Sequence, residues 1–313
     1  MLTRVVIENF RCFRHLDVPL RPLTVLIGAN DTGKSAFCES IVSLTRNEGY
    51  GEKDCWRQDK KNRVTIGVSF DTRPKQILQH DSPARQNITR ELQPLVRFLL
   101  PSAGLPMSSE GVAEASTFAP DLGSDGSGVP TLVDFLLRRD RRRFFAFVDA
   151  ARSRIPGLDD LAIATPSSST RRIDLVVEGG LTVTAERASA GVRLLLFFLA
   201  LAFHPNPPKL IIIEEPENGL HPKRLADVMR LFRDITEGKL GGHKAQVVLT
   251  THSPYLLDCV DLSKDQVLVF RRNDDGSRTA EPADAERLKT FLDEFLLGEI
   301  WYNQGEEGLV RKP

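Results

Sequence analysis

Cysteine is scarce in this sequence and unclustered. Cys12, Cys38, Cys55 and Cys259 form no C-x-x-C pair, which excludes a disulfide framework or a zinc ribbon as the organising device and points to a reduced, cytoplasmic setting. An excess of charge is also missing. The 42 Lys and Arg balance the 42 Asp and Glu, so no overall field draws the chain to nucleic acid or a membrane, and only a local basic patch would do so. Long hydrophobic runs are absent too. The longest, residues 194–203 (LLLFFLALAF), has ten residues, whereas a membrane span needs roughly 17–25. The opening MLTRVVIENF has no apolar core behind a basic start, so no signal peptide is expected. No internal repeat and no coiled-coil heptad run is found.

What remains is ordinary globular usage, 41% hydrophobic and 27% charged over 313 residues, enough for one large core or two modest lobes. Residues 3–8 and 22–27 are β-branched and bounded by turn residues, as strands are. Residues 64–70 alternate apolar and polar, as a half-buried antiparallel strand does. A helix is expected from about Gly33 to Thr45, with Phe37, Ile41 and Leu44 on one face. Residues 71–169 change character: Pro, Gly and Ser-rich loops surround helices expected at 88–100 and 131–153. Residues 171–177 and 181–185 flank Gly179-Gly180 as a hairpin. Thereafter a helix at 194–202, a strand at 210–213, a helix at 222–236 and strands at 245–250 and 266–270 alternate, and a last amphipathic helix covers 284–296. Such alternation argues for a parallel α/β sheet.

Residues 28–35, Gly28-Ala29-Asn30-Asp31-Thr32-Gly33-Lys34-Ser35, fit G-x-x-x-x-G-K-[ST] without exception. They follow a hydrophobic strand and open a helix, where a phosphate-binding loop must stand. The glycines let backbone N–H groups turn inward around phosphates, and the helix start adds its positive dipole end. Lys34 would reach the β- and γ-phosphates and Ser35 would be a Mg²⁺ ligand. Ala36, next on the helix, belongs with the nucleotide-contacting residues.

Nucleotide hydrolysis also needs carboxylates. In LIIIEEPENGLHP a buried strand runs into Glu214 and Glu215. Glu214 stands where such ATPases usually carry Asp, beside the Mg²⁺ site. Glu215, one residue on and differently aimed, would take a proton from the attacking water.

Three further stretches complete a set: Ser189-Ala190-Gly191 before the buried helix, Glu217-Asn218-Gly219-Leu220-His221-Pro222 after the acids, and Thr250-Thr251-His252-Ser253-Pro254. The order of P-loop, S-x-G, hhhhEEPENGLHP and TTHSPYLL resembles the ABC-type ATPases of the SMC, RecF and OLD kind, and "VIENFRCFRHLDVPLRPLTVLIGANDTGKS" is similar to the start of RecF-like chains. The resemblance implies an ABC-type ATPase head with an antiparallel N-terminal sheet, a parallel core sheet and a helical lobe. It divides the chain into a nucleotide-binding core at 1–70 and 170–280, a helical insert at 71–169, and a C-terminal helix and tail at 281–313. It further implies ATP and Mg²⁺ as cofactors and a head-to-tail homodimer formed on ATP binding. Ser189, Ala190 and Gly191 would meet the γ-phosphate held by the other protomer, although Ser189 is also placed to cap its helix. His252 would be the switch histidine that orients water beside Glu215. Asn218 and His221 would face the partner chain, and Arg11 would contact the nucleotide. A Q-loop glutamine is expected among Gln58, Gln76 and Gln79.

The signature has Ala188 where Leu is usual, and only about 100 residues separate the two halves of the head, so coiled-coil arms are not expected. About 60 residues follow His252, too few for a TOPRIM nuclease domain. DNA repair or anti-phage defence beside a separate effector is the expected task, with Arg138, Arg139, Arg141, Arg142 and Arg143 either a solvated helix face or a DNA-phosphate patch. The rival is an ATP-switched assembly or signalling scaffold without DNA. An energising transporter subunit is a third reading, and no membrane contact is expected. Trp301 and Tyr302 fit either packing or partner contact.

Overall fold

The computed structural model describes residues 1–45, 50–58, 63–71, 73–78, 84–99, 105–110, 118–218, 220–292 and 294–310. In chain order it forms β1 (Leu2–Phe10), β2 (Phe13–Pro19), β3 (Leu23–Ile27), α1 (Lys34–Ser43), β4 (Thr65–Phe70), β5 (Arg73–Leu78), α2 (Ala84–Leu92) and β6 (Leu95–Leu99). Next come β7 (Ser108–Glu110), α3 (Val129–Arg139), α4 (Arg141–Arg152), β8 (Leu158–Ala164), β9 (Thr170–Val177), β10 (Leu181–Thr184) and α5 (Ala190–Phe203). The remainder is β11 (Leu210–Glu214), α6 (Leu225–Glu237), β12 (Gln246–Thr250), α7 (Pro254–Leu257), β13 (Gln266–Arg272), β14 (Arg278–Pro282), α8 (Ala285–Phe291) and α9 (Leu297–Gln304). Two compact units result: Met1–Arg97 with Lys209–Pro216 and Gln246–Pro313, and Phe98–Pro208 with Glu217–Ala245.

The first unit holds two sheets. An antiparallel one runs β2-β1-β4-β5, in which Ile7 faces Leu16 on one side and Ile66 on the other. The second runs β14-β13-β3-β12-β11-β6. Its centre is parallel, β3 lying between β12 and β13 and β12 pairing β11. These central strands are apolar on both faces, as a covered parallel sheet requires. Gln246 is buried at the seam between the sheets. Its amide accepts from Leu2 N at 2.9 Å and donates to Leu2 O at 2.7 Å, satisfying polar groups that water cannot reach. Phe270 packs edge-on against Phe37 and Phe13, with ring centroids 5.6 and 6.4 Å away. That packing binds α1 and the β1–β2 sheet to the strand carrying Phe270.

In the second unit α5 is buried from residue 194 to 203, so its all-round apolar sequence is a core helix. Phe98 lies over Phe197, centroids 4.4 Å apart, and Phe232 of α6 meets Phe198 edge-on at 4.8 Å. An antiparallel sheet of β7, β8, β9 and β10, with β9 pairing the other three, accompanies the helices. Among the described residues no helix is long and apolar enough to cross a membrane.

Three expected helices differ. The helix placed at 88–100 ends at Leu92 and is followed by β6, because Pro94 has no N–H to give and its ring blocks a helical turn. The helix placed at 131–153 is two helices divided at Asp140, whose carboxylate accepts from Arg143 N at 3.1 Å and starts α4 afresh. The helix placed at 284–296 is α8, ending at Phe291, followed by α9, which begins at Leu297. α9 settles on α7 through Gly298, whose N donates to Asp258 Oδ1 at 2.7 Å. Trp301 on α9 is half-buried and Tyr302 is exposed.

Candidate functional site: a phosphate loop and two strand-end acids

β3 delivers the chain into the loop of residues 28–33, and Lys34 begins α1. The loop needs glycine at its two ends for steric reasons. Gly28 has φ +141°, and a Cβ there would stand 2.3 Å from Phe270 O. Gly33 has φ +101°, and its Cβ would meet Phe13 Cζ at 2.9 Å. Inside the loop, Thr32 Oγ1 donates to Ala29 O at 2.8 Å. Lys34 is buried and folds back, its ammonium donating to Gly28 O at 2.8 Å and Ala29 O at 2.9 Å. Burial lowers the Lys34 pKa, while the charge of Glu215 opposes that shift. The loop therefore keeps a buried cation on its own carbonyls. Gly28→Ala is expected to cost about 2–4 kcal/mol of stability from the clash and the strained φ together. Urea unfolding checks it, and an unchanged midpoint would show that the turn relaxes freely.

β11 brings the first acid to this loop. Ser35 Oγ donates to Glu214 Oε2 at 2.7 Å, so the hydroxyl and carboxylate expected to share a cation are adjacent. These are hard oxygen donors of the kind Mg²⁺ takes beside phosphate. Glu215 leaves the strand. Its φ is +50°, and its N donates to Thr250 O at 3.1 Å and Thr250 Oγ1 at 3.2 Å. This turn, held by β12, aims the two consecutive acids differently. β12 ends at Thr250, and two residues on, His252 Nε2 lies 3.7 Å from Glu215 Oε1. The structure thus brings Gly28, Ala29, Asn30, Asp31, Thr32, Gly33, Lys34, Ser35, Ala36, Glu214, Glu215 and His252 together in the first unit.

The other expected residues are placed as follows. Ser189, Ala190 and Gly191 begin α5 in the second unit, where Ser189 Oγ accepts from Val192 N at 3.4 Å as a helix cap. Glu217, Asn218 and His221 are also in that unit, and Gly219 lies outside the described residues. Arg11 lies in the β1–β2 turn with its guanidinium 3.4 Å from Asp54 Oδ1 and 5.2 Å from the Phe10 ring centre. Gln58 is exposed, Gln79 is outside the described residues, and so is the side chain of Gln76. In the arginine run, Arg138 pairs with Asp134, while Arg143 pairs with Asp140 and donates to His204 O at 2.8 Å. Arg141 and Arg142 are exposed on α4.

Two arginines escaped sequence reasoning. Arg278 on β14 is buried, and it donates to Asp31 O and Asp31 Oδ2, both at 2.7 Å. It braces the tip of the phosphate loop, where Asp31 has φ +59°. Arg97 on β6 donates through Nε to Glu214 Oε1 at 2.7 Å and through Nη1 to Glu39 Oε2. Despite burial, these partners hold the Arg97 pKa above its ordinary value. The available signal was an arginine in the middle of LVRFL, an otherwise apolar stretch.

The chain is also similar to several known proteins. A family model described as "AAA ATPase domain" matches residues 1–116, and one described as "AAA domain, putative AbiEii toxin, Type IV TA system" matches residues 105–258. A stretch of 85 residues is 44% identical to an OLD nuclease of Thermus scotoductus, covering 26% of this chain and 15% of the nuclease. Among solved structures, an Smc head bound to the C-winged helix domain of ScpA superposes with a TM-score of 0.61 at 14% identity, covering 92% of this chain and 99% of that one. The SMC head domain from Thermotoga maritima gives 0.55 at 14% identity over 90% and 99%. An Smc head with an extended coiled coil, bound to a ScpA domain derived from Pyrococcus furiosus, gives 0.57 at 13% identity over 94% and 98%. These heads share the α/β fold with its antiparallel and parallel sheets. By its phosphate loop, strand-end acids, ATPase family-model matches and head fold, the chain resembles the ABC-type P-loop ATPases of the SMC, RecF and OLD kind.

Proposed function

We propose that the chain binds and hydrolyses ATP with Mg²⁺ as cofactor, and that ATP draws two copies into a head-to-tail dimer. The observation that carries this reading is the Ser35–Glu214 hydrogen bond of 2.7 Å, which joins the phosphate loop to the end of β11. Ser35 and Glu214 would hold the cation, which when bound would neutralise charge on the transferring phosphoryl group. The chain's own residues do the rest. Lys34 exchanges the carbonyls of Gly28 and Ala29 for phosphate oxygens. Glu215 accepts the proton of the attacking water at a carboxylate oxygen, and His252, beside it, orients that water. Ser189 and the N–H groups opening α5 would meet the ATP of the partner protomer.

Wild-type protein is expected to release phosphate from ATP, to stop when EDTA removes the metal, and to double its light-scattering mass with ATP. Absence of phosphate release at every Mg²⁺ concentration would sink the hydrolase reading, and an ATP-bound monomer would sink the dimer. DNA repair or anti-phage defence beside a separate effector, such as a nuclease chain, is the setting we favour. Local identity to an OLD nuclease supports it, as do the exposed Arg141 and Arg142. Adding DNA ends to the same assay should raise turnover. A rate indifferent to DNA favours the assembly-scaffold alternative.

A further inference from the structure

Arg97 puts a positive charge against the metal-facing acid. Its Nε and Nη2 both reach Glu214 Oε1, at 2.7 and 2.5 Å, and its Nη1 holds Glu39 Oε2 from α1. The two carboxylate side chains are each 11% exposed and Arg97 is 22% exposed, so water screens these charges little. Counted over these three side chains alone, two carboxylates and one guanidinium give the cluster a net charge of −1. One oxygen of Glu214 is occupied by Arg97, and the other faces Ser35.

Without the guanidinium, two largely buried acids and a hydroxyl would stand together at −2. Hard divalent cations seek such a set of oxygens, and carboxylate count is what tightens their binding. Glu214 and Glu39 would then recruit metal by themselves, before any nucleotide arrived.

We propose that Arg97 is the specificity-determining residue of this site. By taking Glu214 Oε1 and cancelling one of two negative charges, it denies the site to a bare divalent cation, so that metal enters only with ATP. The inference rests on the reading of Glu214 as metal-facing. It also gives the glutamate at 214 a reason: one side chain engages Ser35 and Arg97 at once.

Mn²⁺ is the probe, because its paramagnetic resonance signal separates free from bound metal without turnover. Nucleotide-free wild type is expected to bind Mn²⁺ weakly and Arg97→Gln at least about tenfold more tightly, the added carboxylate charge being what tunes such sites. Arg97→Lys keeps the charge and should stay near wild type. The double variant Arg97→Gln/Glu39→Gln returns the cluster to −1 and should lose the gain. An Arg97→Gln protein with wild-type Mn²⁺ affinity overturns the proposal, as does a double variant that keeps the gain. Should Arg97→Gln fail to fold, Glu39→Gln carries the test in the opposite direction. Its cluster is neutral, so more Mn²⁺ should be needed to half-saturate the ATP-bound protein, and an unchanged requirement overturns the proposal. Failure of the ATP reading shows separately, as wild-type protein that takes up no ATP with Mn²⁺ present.

Discussion

Lys34→Ala is expected to abolish nucleotide binding, weakening ATP affinity by at least about 100-fold. A hydrogen bond from a charged group contributes about 1.5–3 kcal/mol, and 1.4 kcal/mol is about tenfold in affinity. Lys34 belongs at the upper end because its ammonium is already out of water, 6% exposed, and already held on Gly28 O and Ala29 O. Little further desolvation or ordering is required when phosphate oxygens replace those carbonyls. The variant removes the cation and leaves the glycine framework standing, since Phe270 and Phe13 define that space. Equilibrium binding of a fluorescent ATP analogue measures the effect, with circular dichroism confirming the fold. Affinity within threefold of wild type would mean that phosphate goes elsewhere.

Glu215→Gln is expected to lower turnover by about 10²–10⁴-fold, the range a positioned general base supplies, while ATP still binds. Glutamine has the same shape and keeps the backbone turn, which depends on Thr250 and on a φ of +50° rather than on the carboxylate. Only the proton acceptor beside His252 is lost. ATP therefore persists, and the protein should accumulate as an ATP-bound dimer by light scattering. Undiminished hydrolysis would place the base elsewhere. Slow hydrolysis by a protein that remains monomeric would separate chemistry from closure.

The contrast between the two variants bears on what a sequence shows. Lys34 was legible because the phosphate loop is local: eight consecutive residues contain the turn, the cation and the helix start. Glu214 and Glu215 were legible because a buried strand has no ordinary reason to end in acids. Arg97 was not, because its meaning comes from sheet order. β6 lies beside β11, and no pattern near residue 97 reports a neighbour 117 residues away. The preceding helix hid it further, until Pro94 is taken seriously as the end of that helix. Arg278 was missed for the same reason, its partner Asp31 being 247 residues distant. Asp140 was missed. One helix was expected over residues 131–153, whereas the Asp140 carboxylate caps a new helix.

The position of β3 also sets an order of events in synthesis. The strand that carries the phosphate loop has β12 on one side and β13 on the other, and they are made roughly 220 and 240 residues later. At a ribosomal pace of about 5–20 residues per second, β3 waits roughly 10–45 s with neither neighbour. It is β-branched, apolar on both faces and flanked by a glycine loop, which makes it sticky while it waits. The phosphate loop is thus written well before the two strands that flank β3. Both strand pairs that frame the phosphate loop are complete only once residue 272 has left the ribosome.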